Sequence, residues 1–319
     1  VGLYDPAENG LSIDMWSNSD GTEIKSLLQK LIPKNLSKFS EKILDIALLT
    51  NSYVPSNNIS SDEFLELKIK YLIKKKDINL IRNFLIKNPS LKENNKLIKF
   101  YIDYYLSNSE LDKSCEIFDY VKIITNDYLT NFKIYCLINK NKKEEAQLLF
   151  DLKSEFGNMD EFFINKFNFL MGYEKANQAL SEKNILYFHI SHKTIDNFLY
   201  EAKIDTPKFI WKYLSFSNLL ESIDVIDLKD GEKISLIEKA THEKNYDEEE
   251  LFELYKRYQF NINQLLNAKE TYKLLQNYEA RALLYQRLIL TKDTSELLDL
   301  SYKLKDLFIK DNIEKAFSN

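Results

Sequence analysis

Residues 61–87 decide the fold class of this chain. They read SDEFLELKIKYLIKKKDINLIRNFLIK, in which apolar side chains recur every three or four positions in two successive blocks. This is the period of an amphipathic α-helix, because 3.6 residues complete one turn. Ser60 with Glu63 has the spacing of a capping box, which begins a helix. The stretch therefore predicts two consecutive helices, Ser61–Lys75 and Asn79–Lys87.

The same period continues on both sides of this stretch. Towards residue 157 it predicts Thr22–Leu31, Ser40–Thr50, Leu91–Leu106, Leu111–Thr125, Tyr128–Asn139 and Lys142–Phe156. Beyond Gly172 it predicts Ile185–Lys193, Ile195–Ala202, Pro207–Leu214, Leu219–Ile223, Glu232–Glu243, Glu248–Gln259, Ile262–Leu275, Tyr278–Leu290 and Ser295–Asn312. Six glycines and five prolines leave too few turn residues for an all-β fold. The predicted class is all-α.

A faint internal repeat indicates how the helices are arranged. On the second helix of successive pairs, a residue that is small in two of the three pairs precedes a phenylalanine by four positions, at intervals of 34 and 32 residues. The pairs are Leu80 and Phe84, Ser114 and Phe118, and Ala146 and Phe150. Over residues 60–157 this resembles tetratricopeptide repeats, which implies an α/α superhelix, a TPR-like solenoid of antiparallel helix pairs. We expect regular pairs in residues 22–172 and a continuous, less regular superhelix in residues 173–319.

Residues 1–21 differ from the rest, because they hold three of the six glycines and show no helical period. We expect an irregular N-terminal arm with Met15 and Trp16 as its structural anchors, packed on the first helices. An exposed end of a solenoid needs such a cover. The alternative is an arm that is free in the isolated protein and hooks a partner.

Candidate chemistry is sparse. The glycines are too scattered for a phosphate loop or a dinucleotide fingerprint, and no H-E-x-x-H or C-x-x-C occurs. His189, His192 and Asp196 would share one helical face, yet a break near Thr194 and the lack of a fourth ligand argue against a metal site. The acidic run Asp247–Glu250 is typical of a helix start, where the helix dipole favours negative charge. We predict no catalytic, cofactor-binding or metal-binding residues, and no cofactor.

The two cysteines, Cys115 and Cys136, lie about equally far from the turn near residues 125–127. They should come level on adjacent antiparallel helices, where only mutually facing side chains come close enough to bond. A disulfide and two buried thiols are both open, and we expect the thiols.

The N-terminal region resembles a family of exported helical-repeat proteins of alphaproteobacteria. The resemblance rests on GLSIDMWS at residues 10–17, LLQKL at 27–31 and ALLT at 47–50. That family has no assigned activity, so it contributes no site residue. It implies a periplasmic location after removal of a leader, which fits a chain that starts at Val1.

Two functions remain open. The first is a non-enzymatic scaffold that binds a protein or an extended peptide, because helical-repeat stacks form long binding surfaces. The second is an envelope glycan-handling enzyme or its accessory domain, with a catalytic carboxylate among 49 acidic residues. A deep pocket with a carboxylate in apolar surroundings would favour the enzyme. The net charge of −5 argues against a nucleic-acid partner, and no apolar run is long enough to span a membrane.

Overall fold

A computed structural model describes residues 1–34, 36–89, 91, 94–157, 159–175, 178–203, 205–217, 219 and 226–317. Within these residues the protein is all-helical, and its only β-type pairings are two isolated bridges. The helices are α1 Gly21–Leu31, α2 Lys38–Leu49, α3 Ser61–Lys75, α4 Ile78–Lys87, α5 Asn95–Ser107, α6 Leu111–Glu116, α7 Asp127–Asn139, α8 Lys143–Phe156, α9 Glu161–Met171, α10 Ile185–Thr194, α11 Lys208–Phe216, α12 Gly231–His242, α13 Glu248–Lys256, α14 Ile262–Leu266, α15 Ala268–Thr271, α16 Asn277–Leu290 and α17 Thr294–Lys310. None of these helices is long and apolar enough to cross a bilayer. The predicted all-α class is confirmed.

Some predicted helices are wrong, for local reasons. Leu111–Thr125 ends early, because the β-branched residues at 121 and 123–125 disfavour a helix and the Lys122 amide donates to the Pro89 carbonyl instead. Residues 195–202 are not helical, since Asn197 has a left-handed φ of 51°. Ile262–Leu275 is divided into α14, α15 and a 3₁₀ turn. Of Leu219–Ile223, Leu219 is not helical and the rest lies outside the described residues.

Helix α9 was not predicted, although its ends carry ordinary signals. The Asp160 carboxylate accepts from the Phe162 amide at the start of the helix, and Gly172 ends it with φ of 87°. Both signals are readable from the sequence.

The chain divides into two compact units. Unit 1 comprises Val1–Leu106, Glu110–Ser181 and His189–Ile195, and unit 2 comprises Ser107–Ser109, Glu182–Phe188 and Asp196–Asn319. The continuity of the superhelix from residues 22–172 into residues 173–319 stays a prediction.

The N-terminal arm lies on unit 1. Trp16 is half-buried and its ring packs edge-on against Phe64 of α3, with 5.9 Å between the ring centroids. Met15 is also half-buried. The most buried side chain of the arm is neither of these but Leu3, which is 7% exposed. Helix α1 begins at Gly21, so the arm ends at residue 20.

Cys115 of α6 and Cys136 of α7 form a disulfide, so the expectation of two thiols was wrong. Their Cα atoms are 5.5 Å apart and both residues are buried. The helix that was expected to run to Thr125 stops at Glu116, and residues 120–126 are left as a non-helical connection to α7. This shorter helix places the two side chains face to face.

In unit 2, Arg281 of α16 is buried in the core and paired with Glu238 of α12. Its Nε and Nη2 donate to the two carboxylate oxygens of Glu238 at 2.9 and 2.6 Å, and its Nη1 donates to Asp311 at 2.6 Å and to the Leu307 carbonyl. The Tyr255 hydroxyl of α13 donates to Glu238 at 2.6 Å. The Arg281 and Glu238 side chains are only 2% and 1% exposed. The cluster links α12, α13, α16 and the C-terminal end of α17.

The bridge predicts a response to reductant. Closing a loop with a sequence separation of 21 removes chain entropy worth about 3 kcal/mol from the unfolded state. We expect dithiothreitol to lower the melting temperature of the wild type but not that of the matched Cys115→Ala/Cys136→Ala variant. Thiol titration of the unreduced, denatured protein checks the bridge directly, and two free thiols would contradict it.

The buried ion pair predicts unequal costs for two arginines. Arg281→Met leaves Glu238 buried without its counter-charge and should lower the free energy of unfolding by about 3–5 kcal/mol. Arg287→Met is the matched control on the same helix, because Arg287 and its partner Glu296 are 21% and 28% exposed. Arg287→Met should lower the free energy of unfolding by about 1 kcal/mol or less. Urea unfolding measures both free energies of unfolding. Equal losses in the two variants would contradict the prediction that the buried pair contributes more.

Candidate functional site

Unit 2 contains a pocket of about 390 Å³ whose walls are largely aromatic and aliphatic. This volume falls within the range of ligand sites. The lining residues are Tyr200, Glu201, Ala202, Trp211, Leu219, Ile226, Lys233, Leu236, Ile237 and Tyr246. They come from α11, from α12 and from the segments that precede and follow these helices. Residues 220–225 lie outside the described residues.

Trp211 forms the most buried aromatic wall of the pocket. It lies near the start of α11, which begins directly after Pro207, a residue whose fixed φ suits the start of a helix. The indole is 4% exposed and packs edge-on against Tyr246, with 5.7 Å between the ring centroids. Among the described residues, its Nε1 has no hydrogen-bond acceptor. The Trp211 ring contributes an apolar surface to the pocket.

The tyrosines of the pocket stay neutral at physiological pH. The Tyr200 hydroxyl donates to Glu182 at 3.0 Å and lies 3.2 Å from the Thr206 hydroxyl, and burial raises the pKa of Tyr200 to about 12. Burial also raises the pKa of Tyr246, and the nearby Glu250 carboxylate raises it further. The pocket thus presents neutral aromatic walls.

The charged residues of the lining are Glu201, which is exposed, and Lys233, which is half-buried. Among the described lining residues there is no histidine, no cysteine and no pair of carboxylates. The arrangement can hold an apolar or aromatic group with a polar attachment.

The histidines singled out in the sequence lie elsewhere. His189 is buried in unit 1, its Nε2 is 3.1 Å from the Tyr135 hydroxyl, and burial lowers its pKa to about 3. Helix α10 ends at Thr194, where the sequence indicates a break, so Asp196 lies beyond the helix and does not share a helical face with the two histidines. In the described part of the chain, no three His, Cys, Asp or Glu residues are placed to hold a metal ion. That the protein binds no metal stays a prediction.

The acidic run is a helix start, as its pattern indicates. The Asp247 carboxylate accepts from the Glu249 amide at 2.8 Å, and α13 begins at Glu248. This contact satisfies an amide of the first turn that has no partner within the helix.

The pocket was not foreseen from the sequence. Tyr200 and Ala202 fall in a segment that was predicted to be helical, and Trp211 and Tyr246 are 35 positions apart. Aromatic residues at helical spacing are interpreted as core, and Trp211 does belong to the core on one side. The available signal was Asn197, because asparagine is one of the few residue types that adopt the left-handed conformation which interrupts the helix here.

His189 predicts an acid-dependent loss of stability. The unfolded chain takes up a proton near the ordinary pKa of 6.5, whereas the folded chain resists it down to about pH 3. Stability therefore falls as pH falls below 6.5, by up to about 1.4 kcal/mol per pH unit. The difference in unfolding free energy between wild type and His189→Gln should be constant above pH 7. Below pH 6 the wild type should lose stability relative to the variant. A difference that does not change down to pH 4 would contradict this.

Comparison of the chain with family models, with curated proteins and with solved structures gave no match. In unit 2 the described residues form an aromatic pocket, and in unit 1 they form a buried core with a docked arm.

Proposed function

We propose that this protein is a non-enzymatic scaffold of the bacterial envelope that binds a protein or an extended peptide. The observation that carries the proposal is the pocket with Tyr200, Trp211 and Tyr246 in its walls. Tyrosine and tryptophan are enriched at protein interfaces, because they give a large apolar contact with few rotatable bonds. A peptide would place an aromatic or leucine side chain in this pocket.

Contacts at the repeat positions support a TPR-like superhelix in residues 60–157. Ser114 and Ala146 are fully buried, and the Ser114 hydroxyl of α6 donates to the Ile102 carbonyl of α5 at 3.0 Å. Only a small side chain allows two helices to approach this closely. The phenylalanines that follow are buried at Phe84 and Phe118, while Phe150 stacks on Phe167 of α9 at 3.8 Å.

The disulfide supports the proposed periplasmic location. Disulfides persist in oxidising compartments, which include the bacterial periplasm, and are rare in the cytosol. The resemblance of residues 10–17 to exported helical-repeat proteins points to the same compartment.

The carboxylates with the strongest claim to a catalytic role favour the scaffold over a glycan-handling enzyme. Glu238 is fully buried, but Arg281 and Tyr255 occupy its oxygens. Burial raises the pKa of Asp103, which is already bonded to Lys99 and Tyr128. Neither carboxylate lies in the pocket.

The pocket is tested with a displayed library of linear peptides selected on the wild-type protein. Ala202→Phe places a ring inside the pocket, and selected peptides with an aromatic or leucine anchor should bind this variant at least tenfold more weakly. Leu199→Ser is the matched control, because Leu199 is 90% exposed and does not line the pocket. Fluorescence anisotropy measures the affinities, and circular dichroism checks the fold of each variant.

Two outcomes would count against the proposal. If no peptide is enriched, or if every enriched peptide binds Ala202→Phe as well as the wild type, the pocket is not a peptide site. If wild-type protein binds or cleaves cell-wall oligosaccharides and Ala202→Phe does not, the glycan-handling function is correct instead.

A further inference from the structure

After α17 the chain reverses direction and packs a short 3₁₀ turn, Glu314–Ala316, against the C-terminal end of α12. The reversal occurs at Asn312, which has a left-handed φ of 56°, and the Ile313 amide donates to the Phe308 carbonyl as in a Schellman motif. Ile313 is 4% exposed and Ala316 is fully buried. We call residues 313–317 the latch.

The latch covers two aromatic rings of the core of unit 2. The Phe317 ring stacks on Phe308 of α17, with 5.6 Å between the centroids, and meets Phe252 of α13 edge-on at 6.1 Å. Phe308 is fully buried, and the Arg281 guanidinium lies 5.3 Å from the centroid of its ring. Opening of the latch would therefore bring water to the rings beside the buried ion pair.

Two side chains at the end of α12 hold the backbone of one latch residue, Lys315. His242 Nδ1 accepts from the Lys315 amide at 3.2 Å, and Lys244 Nζ donates to the Lys315 carbonyl at 2.6 Å. The His242 side chain is 14% exposed and that of Lys244 is 47% exposed. The histidine is thus the more buried of the two attachments.

The contact with His242 exists only while Nδ1 carries no proton. A neutral imidazole has one acceptor nitrogen, so the ring hydrogen is here on Nε2, which lies 3.8 Å from the Glu243 carboxylate. A protonated imidazole donates from both nitrogens, and its Nδ1 hydrogen would then oppose the hydrogen of the Lys315 amide. Histidine is the side chain that ordinarily takes up a proton between about pH 5 and pH 8.

The charges around the ring allow a proton to bind and oppose a closed latch once it has bound. The Glu243 carboxylate attracts a proton to the ring, whereas a protonated ring would stand beside the two cations Lys244 and Lys315. The charged residues on this end of α12 and on the elements packed around it are Glu238, Lys239, Glu243, Lys244, Glu248, Glu249, Arg281, Asp311, Glu314 and Lys315. Among them Arg281 is paired with Glu238 and Asp311, and Lys244 with Glu248.

We propose that the latch is a pH-dependent device that is closed while His242 is neutral and opens when His242 takes up a proton, which uncovers Phe252 and Phe308. Acid favours the open form, because only there does the proton bind without the loss of the Lys315 contact. This regulation goes beyond the peptide site proposed above, since neither the latch nor His242 lines the pocket.

The test is amide hydrogen exchange of the full chain at pH 7.5 and pH 5.5, measured by mass spectrometry on fragments that contain residues 313–317. Each rate is divided by that of the unfolded fragment at the same pH, so that the remaining change reports opening. An ordinary histidine, with a pKa of about 6.5, is largely neutral at the first pH and largely protonated at the second. The protection of the latch should therefore fall about five- to tenfold. Residues 280–284 of α16 are the internal reference and should change less than twofold.

Two histidine variants assign the effect. His242→Gln keeps an acceptor in its amide oxygen but gains no proton in this range, so its latch should be equally protected at both pH values. His192→Gln is the matched control, because His192 lies in unit 1, and it should keep the wild-type change. If circular dichroism shows that His242→Gln is misfolded, Lys244→Met takes its place. It removes the other attachment and should lower the protection at both pH values while the ratio between them stays the same.

Several results would overturn the proposal. One is equal protection of the wild-type latch at the two pH values. Another is a fall of wild-type size in folded His242→Gln, or no fall in His192→Gln. A latch that is unprotected at pH 7.5 would show that the closed form is not populated. Equal losses of protection in the latch and in α16 would show that acid unfolds unit 2 as a whole.

Discussion

The ion pair between Arg281 and Glu238 is the contact on which unit 2 depends. Two charges removed from water are tolerated only when each hydrogen-bonding group is satisfied in good geometry. Here that requires Tyr255 from α13, Asp311 beyond α17 and the carbonyl of Leu307 in addition to the pair itself. The helices that supply these groups must keep their register. Ile237 and Lys233 of the pocket lie on α12, the helix that carries Glu238, so the pair also fixes one wall of the pocket.

Unit 1 is organised differently, because its buried basic groups make contacts with neutral groups. Lys68 is bonded to a backbone carbonyl, Lys166 to the Thr194 hydroxyl at 2.9 Å, and His189 lies against Tyr135. Burial lowers the pKa of each of the two lysines to about 8 and that of His189 to about 3. Unit 1 therefore becomes more stable as these groups lose protons. The docked arm is part of this arrangement, since it supplies the acceptor for Lys68.

The sequence predicted the elements of the fold better than its contacts. Helix α3 was placed from Ser61 to Lys75, because its apolar period and the capping box of Ser60 and Glu63 are local signals. The groups that organise each unit are set by contacts between distant residues. Glu238 and Arg281 are 43 positions apart, and Lys68 and Val1 are 67 apart. Because the sequence does not repeat at these positions, it contains no pattern that would reveal such pairs. The pocket escaped prediction for the same reason, and because a wrong helix covered Tyr200.

The disulfide gives the chain a mechanical property. A chain pulled from its two ends straightens completely only when no covalent loop is left in it. The bridge keeps the segment from Cys115 to Cys136 out of the line of force. At up to about 3.5 Å per residue, this shortens the extended chain by about 70 Å. Where the bridge holds this loop to the stretched chain, two or three stretches of the chain lie side by side. A channel that admits a single extended strand would block this loop, so in an exported chain the bridge has to close after passage through such a channel.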